Sequence, residues 1–240
     1  MQSNNVYAKI FKFNNLEEAR KIYPTNPTKA HDLIDEAIEY YIKKPNKNFP
    51  WLGWAYSDKA HFLDMEGNKK LALEYQTKAC EEQKKDFKKV KINQKKRNLI
   101  QCYYFLSGLL KDNNFLEKSL NVSTKAINIF NEFKNNNYEI DEYAGSKEFA
   151  YQLVHRARVF KDLFRYEESI KDYEQYLKVI SIKDLNELAS DDYLSALSEV
   201  EFIYSTRGDT KNEYKYLKLR YEIIQQYNKS NLNLQARINR

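Results

Sequence analysis

Histidine and carboxylate side chains could do chemistry in this sequence, but their spacing offers no catalytic or metal-binding set. The three histidines, His31, His61 and His155, lie far apart, and none has a second ligand at the helical spacing that a metal pair requires. The carboxylates are numerous, but none stands in an apolar run that would clearly raise its pKa. The five glycines are isolated, so no phosphate-binding loop is present. We therefore predict a protein that is not an enzyme and needs no metal or cofactor.

The two cysteines, Cys80 and Cys102, do not make a disulfide framework, and no histidine is spaced to pair with either as a nucleophile. Cys80 follows Ala79 and Cys102 precedes Tyr103, and we interpret both as small core residues. The N-terminus lacks the charged and apolar regions of an export signal, and no apolar run is long enough to span a membrane. These observations predict a cytoplasmic protein that does not enter the membrane.

Charge is distributed unevenly along the chain. The segment from Lys84 to Arg97 has a net charge of +7, and the segment from Lys183 to Glu201 has a net charge of −5. The cations of the first segment are Lys84, Lys85, Lys88, Lys89, Lys91, Lys95, Lys96 and Arg97. Such a run could bind RNA, DNA or an acidic protein, or it could be the solvated end of a long helix and the turn after it. We favour the solvated helix end, because Phe87 alone is available to stack on bases.

The chain as a whole predicts helices and no strand. Hydrophobic residues make up 42% and charged residues 31%, which is enough to bury a core and solvate its outside. All four prolines fall within the first fifty residues, and no stretch alternates cleanly between apolar and polar side chains. Asn26 and Pro27 read as a helix start. The predicted helices cover residues 16–23, 27–44, 50–67, 68–91, 94–111, about 115–133, 139–163, 166–180, 190–208 and 210–227.

Small residues recur at fixed offsets within these helices. Ala60 is followed by Gly67 at +7, Ala72 at +12 and Ala79 at +19. Two helices that cross closely need small residues at their contacts, and the turn between them needs a residue that tolerates unusual backbone angles. The same offsets return, less completely, at Ser107, Asn114, Ser119 and Ala126, at Ala157, Ser169 and Tyr176, and at Glu201 and Gly208, while Ala30 and Ala37 look like the second helix of an earlier unit.

This pattern resembles the tetratricopeptide repeat (TPR). The resemblance implies an all-α fold, a superhelical array of antiparallel helix pairs (an α-solenoid) with about four to five TPR-like units over residues 27–228. Residues 1–26 would then be a lead-in with a short helix, and residues 229–240 a frayed tail. The repeats are 42 to 50 residues apart rather than about 34, which predicts helices longer than usual. The long period also admits armadillo or HEAT-like pairs, but the retained offsets favour the TPR interpretation.

In the family, the first helix of each pair lines a concave groove. Carried onto this sequence, the groove-facing positions include His61, Gln101, Tyr104, Lys111, Tyr151, Arg158, Lys161 and Phe202. Aromatic and cationic side chains of this kind predict binding of another protein, through an acidic surface or an extended acidic peptide. The role could be that of an adaptor, a regulator or a toxin-immunity protein, and self-association is also compatible with the sequence. Nucleic-acid binding through the basic segment is the alternative function.

Overall fold

The computed structural model describes residues 15–45, 49–85, 91–135, 142–180 and 187–238, and these contain ten helices and no strand. The distances between Cα atoms divide the chain into two compact units, Met1–Asp141 and Glu142–Arg240. The first unit contains α1 (residues 15–22), α2 (Pro27–Lys43), α3 (Trp51–Met65), α4 (Lys69–Lys84), α5 (Ile92–Asp112) and α6 (Leu116–Asn135). The second contains α7 (Glu142–Asp162), α8 (Tyr166–Val179), α9 (Glu187–Thr206) and α10 (Thr210–Ile238).

Each helix packs mainly on its neighbours in the chain, as a helical repeat requires. The hairpin pairs are α3 with α4 and α5 with α6 in the first unit, and α7 with α8 and α9 with α10 in the second. Within the first unit, α4 also packs on α5 and thereby joins one pair to the next. The predicted fold class is confirmed: the protein is all-α, with successive antiparallel helix pairs of the TPR-like kind.

The turn inside each pair has the same geometry in all four repeats. The residue seven positions after the first anchor of each repeat has a positive φ: Gly67 (80°), Asn114 (63°), Phe164 (59°) and Gly208 (71°). Around Gly67, its own N–H donates to the Asp64 carbonyl and the next N–H donates to the Leu63 carbonyl. The other three turns repeat both hydrogen bonds, which together form the Schellman end of a helix. The prediction that position +7 is the turn residue is confirmed at Gly67, Asn114 and Gly208, and Phe164 is a turn residue that the offsets did not name.

The small residues at +12 lie where the two helices of a pair touch. The Ser119 hydroxyl of α6 donates to the Ser107 carbonyl of α5 at 2.7 Å, and the Ser169 hydroxyl of α8 donates to the Ala157 carbonyl of α7 at 2.8 Å. Only a small side chain lets a helix backbone approach this closely, and the hydroxyl also satisfies a buried carbonyl lone pair. The remaining anchors at Ala60, Ala72, Ala79 and Ala126 are fully buried, as predicted.

Several predicted helix ends are wrong. Helix α4 ends at Lys84 rather than near Lys91, so the basic run is not the end of one long helix. Helix α9 already begins at Glu187, so Ser190 lies inside it and does not cap it. Helix α10 continues to Ile238, past the predicted start of a frayed tail at residue 229. The cap at Asn26 is confirmed, because its side chain accepts the Lys29 N–H at 3.1 Å.

The extra length of the repeats is found in α5 and α7, and also in α6, α9 and α10. Helices α5 and α7 have 21 residues each, whereas α4 has 16 and α8 has 14. The prediction of longer helices is therefore confirmed for α5 and α7. The added turns of these two helices precede their small anchors. Helices α4 and α8 stay short, since they end soon after their last buried contacts at Gln83 and Tyr176, whereas α6 has 20 residues and α10 has 29.

The cysteines depart from expectation. Both are buried as predicted, but Cys80 of α4 and Cys102 of α5 form a disulfide instead of being separate core residues. Their Cα atoms are 5.6 Å apart, which is within the range that disulfides occupy. A separation of 22 residues between two helices carries no periodic signal, so the pairing becomes visible only when α4 packs on α5.

Candidate protein-binding surfaces

The predicted site residues fall in both units, and each set is described within its own unit. His61, Gln101, Tyr104 and Lys111 lie on α3 and α5 of the first unit. Tyr151, Arg158, Lys161 and Phe202 lie on α7 and α9 of the second. All eight therefore stand on the first helices of their pairs, and none of them is buried.

Two large aromatic side chains of the second unit are exposed. Tyr151 on α7 keeps 43% of its surface accessible, and Phe202 on α9 keeps 54%. Their neighbours along the helices face the core: Gln152 and Leu153 follow Tyr151, and Ile203 follows Phe202, and all three are buried. The helices are thus anchored by one face, and the rings of Tyr151 and Phe202 stand on the other.

Lys161 connects these two helices. Its Nζ donates to Oε2 of Glu199 on α9 at 2.5 Å and lies 5.9 Å from the centre of the Phe202 ring. The ion pair is partly shielded, since about a quarter of each side chain is accessible. The Lys161 charge is therefore already engaged by Glu199, and an anionic partner would have to displace that carboxylate.

Arg158 stands near a group of buried tyrosines. Burial raises the pKa of the Tyr173 hydroxyl strongly, the charge of Glu199 raises it further, and the Arg158 charge opposes the rise. The pKa of Tyr176 is likewise raised by burial and by the charge of Asp192, and Arg158 again opposes the rise. The charge of Arg158 therefore acts on both hydroxyls in the same direction.

The charge of this face differs from the prediction. The sequence predicts a cationic surface, but Lys161 pairs with Glu199 of α9, and the charge of Asp192 on the same helix opposes that of Arg158 in its effect on the Tyr176 hydroxyl. In sequence, those two acids are more than thirty residues away from the cations. Only the packing of α9 on α7 brings Glu199 to Lys161, and this pairing reduces the net positive charge of the face.

In the first unit, Tyr104 lies beside an aromatic side chain that the sequence analysis overlooked. Tyr104 is half-buried and its ring meets the ring of Phe105 edge to face, with centroids 5.6 Å apart. Phe105 is itself half exposed. The available signal was its place two residues before the small anchor Ser107, on the solvent side of the helix. His61 and Gln101 are exposed and Lys111 is half-buried.

The basic segment spans the end of α4, the connection that follows and the start of α5. Lys84, Lys85 and Lys91 are exposed, whereas Lys95, Lys96 and Arg97 are half-buried, and Lys88 and Lys89 lie outside the described residues. Several of these cations contact the chain itself: Lys85 pairs with Glu82 at 2.6 Å, Lys96 pairs with Glu132 at 3.3 Å, and Lys84 lies over the Tyr103 ring. These contacts reduce the charge available to a nucleic acid.

His31 lies in a cluster of structural contacts in the first unit. His31 Nε2 lies 2.8 Å from Glu66 Oε1, and Tyr23 donates to the Phe62 carbonyl at 3.0 Å while its ring stacks on that of Phe62. This cluster ties α2 to the end of α3. Within the part of the chain that the structure describes, no three His, Cys, Asp or Glu side chains converge as a metal site would require. None of the helices described there has the length and apolarity needed to cross a membrane.

The paired helices, the four matching turns and the buried small anchors define a TPR-like helical repeat protein. Solved structures agree. BtubC (BKLC) from P. vanneervenii is similar over 91% of this chain and 90% of its own, with 16% identity and a TM-score of 0.66. The apo form of RapI is similar over 93% of this chain and 74% of its own, with 10% identity and a TM-score of 0.70.

A third similar structure contains a bound peptide. It is the Rap conjugation gene regulator of the plasmid pLS20 in complex with the Phr* peptide, similar over 95% of this chain and 57% of its own, with 13% identity and a TM-score of 0.55. No family model matches this chain, and no curated protein matches it. At these identities, the likeness establishes the fold.

Proposed function

We propose that this protein is a non-enzymatic interaction module that binds a partner protein, or an extended segment of one, on the exposed faces of α7 and α9. The observation that carries the proposal is the pair of exposed rings, Tyr151 and Phe202, beside Arg158 and the Lys161–Glu199 ion pair. Rigid aromatic side chains flanked by arginine are the groups that most often dominate binding energy in protein interfaces. The peptide complex of the similar pLS20 regulator supports the same use of this fold.

The charges refine the kind of partner that the surface favours. A carboxylate on the partner would bind Lys161 by taking the place of Glu199, and Arg158 lies close enough to the same face to offer a second cation. Because Asp192 and Glu199 repel a strongly anionic segment, we propose a partner segment with an isolated carboxylate between apolar residues. An adaptor, regulatory or toxin-immunity role in the cytoplasm is part of this proposal.

Partner capture tests the proposal. The chain is used as bait in a lysate of its source cells, and captured proteins are identified by mass spectrometry and verified by titration with the purified partner. Tyr151→Ala, Phe202→Ala and Arg158→Glu should each weaken the measured affinity at least tenfold. Tyr214→Ala is the matched control, because this exposed tyrosine lies on α10 of the same unit. Undiminished affinity in all three variants, with helical circular dichroism intact, would refute the proposed surface.

Nucleic-acid binding through the basic segment is the second candidate, and the exposure of Lys84, Lys85 and Lys91 favours it. Retention on heparin and on RNA should be measured across a series of salt concentrations. A true nucleic-acid site loses affinity steeply with salt, and charge reversal of the three lysines reduces that slope. We expect weak retention and a shallow slope, because Lys85 and Lys96 are already paired with acids.

A further inference from the structure

The Cys80–Cys102 disulfide lies at the joint between two successive repeats. Cys80 belongs to α4, the second helix of one hairpin pair, and Cys102 belongs to α5, the first helix of the next. Stability in a helical repeat protein depends on the repeats themselves and on the contacts between neighbours. A covalent bond at this place therefore acts on the coupling between the two repeats rather than on either repeat alone.

The surroundings of the two sulfurs hold them in place. Only 1% of Cys80 and 5% of Cys102 is accessible. The buried amide of Gln76 donates its Nε2–H to the Cys102 carbonyl at 3.2 Å and lies 3.3 Å from the Cys102 sulfur. Its Oε1 accepts from the Ser57 hydroxyl of α3 at 3.2 Å. Helices α3, α4 and α5 thus share one polar contact beside the sulfurs, so the pair meets without rearrangement of the helices.

We propose that Cys80 and Cys102 form a reversible redox clasp that locks α4 to α5 under oxidising conditions and opens under reducing ones. The oxidant is a small-molecule disulfide such as oxidised glutathione. A thiolate of one cysteine attacks it, forms a mixed disulfide and releases one thiol. The thiolate of the second cysteine then attacks the protein sulfur of the mixed disulfide, which closes the Cys80–Cys102 bond and releases the second thiol.

The clasp loses two protons and two electrons in total, and the external disulfide gains them as it becomes two thiols. Because both sulfurs are buried, the oxidant reaches them only when the α4–α5 joint opens locally. Once closed, the bond is protected from external thiols by the same burial. The clasp is therefore slow to form and slow to break in the folded protein, and conditions that loosen the joint accelerate both steps.

Thermal unfolding of the reduced and the oxidised full chain tests the clasp. The protein is equilibrated with either dithiothreitol or oxidised glutathione, and alkylation in denaturant followed by mass spectrometry counts the free thiols. Oxidation should leave no alkylated cysteine, form no disulfide between chains and raise the midpoint of the first unit by on the order of 10 °C, as expected for a ring of this size. Hydrogen exchange should slow in α4 and α5 and stay unchanged in the second unit, which contains no cysteine.

The double variant Cys80→Ala/Cys102→Ala is the control, and its midpoint should not respond to the oxidant. If that variant fails to fold, the comparison of the two wild-type forms still decides the question. Two alkylated cysteines after oxidation, a disulfide formed between chains, or equal midpoints for the two forms would each overturn the proposal. The clasp does not depend on the proposed binding surface, since that surface lies in the second unit.

Discussion

Phe164 offers a sharp test of the repeat architecture, because a bulky residue occupies a turn position that favours glycine. Its φ is 59°, and the equivalent residues of two other turns are Gly67 and Gly208. A side chain in this left-handed region brings Cβ close to the following carbonyl, which costs about 1–2 kcal/mol. The Phe164 ring is 78% exposed, so packing compensates for little of this strain.

The cleanest perturbation compares Phe164→Gly with Phe164→Ala. Both variants lose the same ring and differ only in Cβ. Removal of Cβ relieves about 1–2 kcal/mol of backbone strain, and the greater freedom of glycine in the unfolded chain returns about 0.4–1 kcal/mol of that gain. We therefore expect the glycine variant to be more stable than the alanine variant by about 0.5–1 kcal/mol.

Urea denaturation followed by circular dichroism measures this difference. Gly208→Ala should show the reverse change, a loss of about 0.5–1 kcal/mol, because nothing lies within 4 Å of the added Cβ and the cost is that of the backbone alone. Gln175 on α8 is the control, since it is exposed and inside a helix, where alanine is more stable than glycine by about 0.5–1 kcal/mol. If the alanine variant were more stable than the glycine variant at position 164, as expected at position 175, the assignment of a left-handed turn residue would be wrong.

Two further predictions concern the packing of helix pairs. Ser119→Ala and Ser169→Ala should each lower the free energy of unfolding by about 1 kcal/mol, because each leaves a buried carbonyl without its hydroxyl donor. Equal stability of variant and wild type in urea denaturation would contradict this expectation. Asp172→Ala should cost about 3–5 kcal/mol, because it strips the two 2.7 Å hydrogen bonds from the half-buried Arg156 guanidinium. Arg156→Met/Asp172→Leu should recover most of that loss in the same assay, and a double variant as unstable as the single one would refute the account.

The candidate site was predictable only in part. Helical spacing from the small anchors identified positions on the first helices of the pairs, and the structure leaves those positions unburied. The spacing could not reveal the Lys161–Glu199 ion pair, which joins residues of two helices 38 positions apart. The spacing also missed Phe105. A count of positions from the anchor gives the direction of a side chain, but it does not give the fraction of that side chain that the neighbouring helix covers.

The sequence by itself determined the helical class, three of the four turns and the small contacts between paired helices. These features depend on interactions within about twenty residues, where a glycine, an asparagine or an alanine at the right offset decides the backbone. Only the tertiary structure decided where each long helix ends, which charges face one another and that Cys80 meets Cys102. Those outcomes depend on how one helix pair packs on the next. The types of residues far apart in the sequence do not indicate which of them will be in contact.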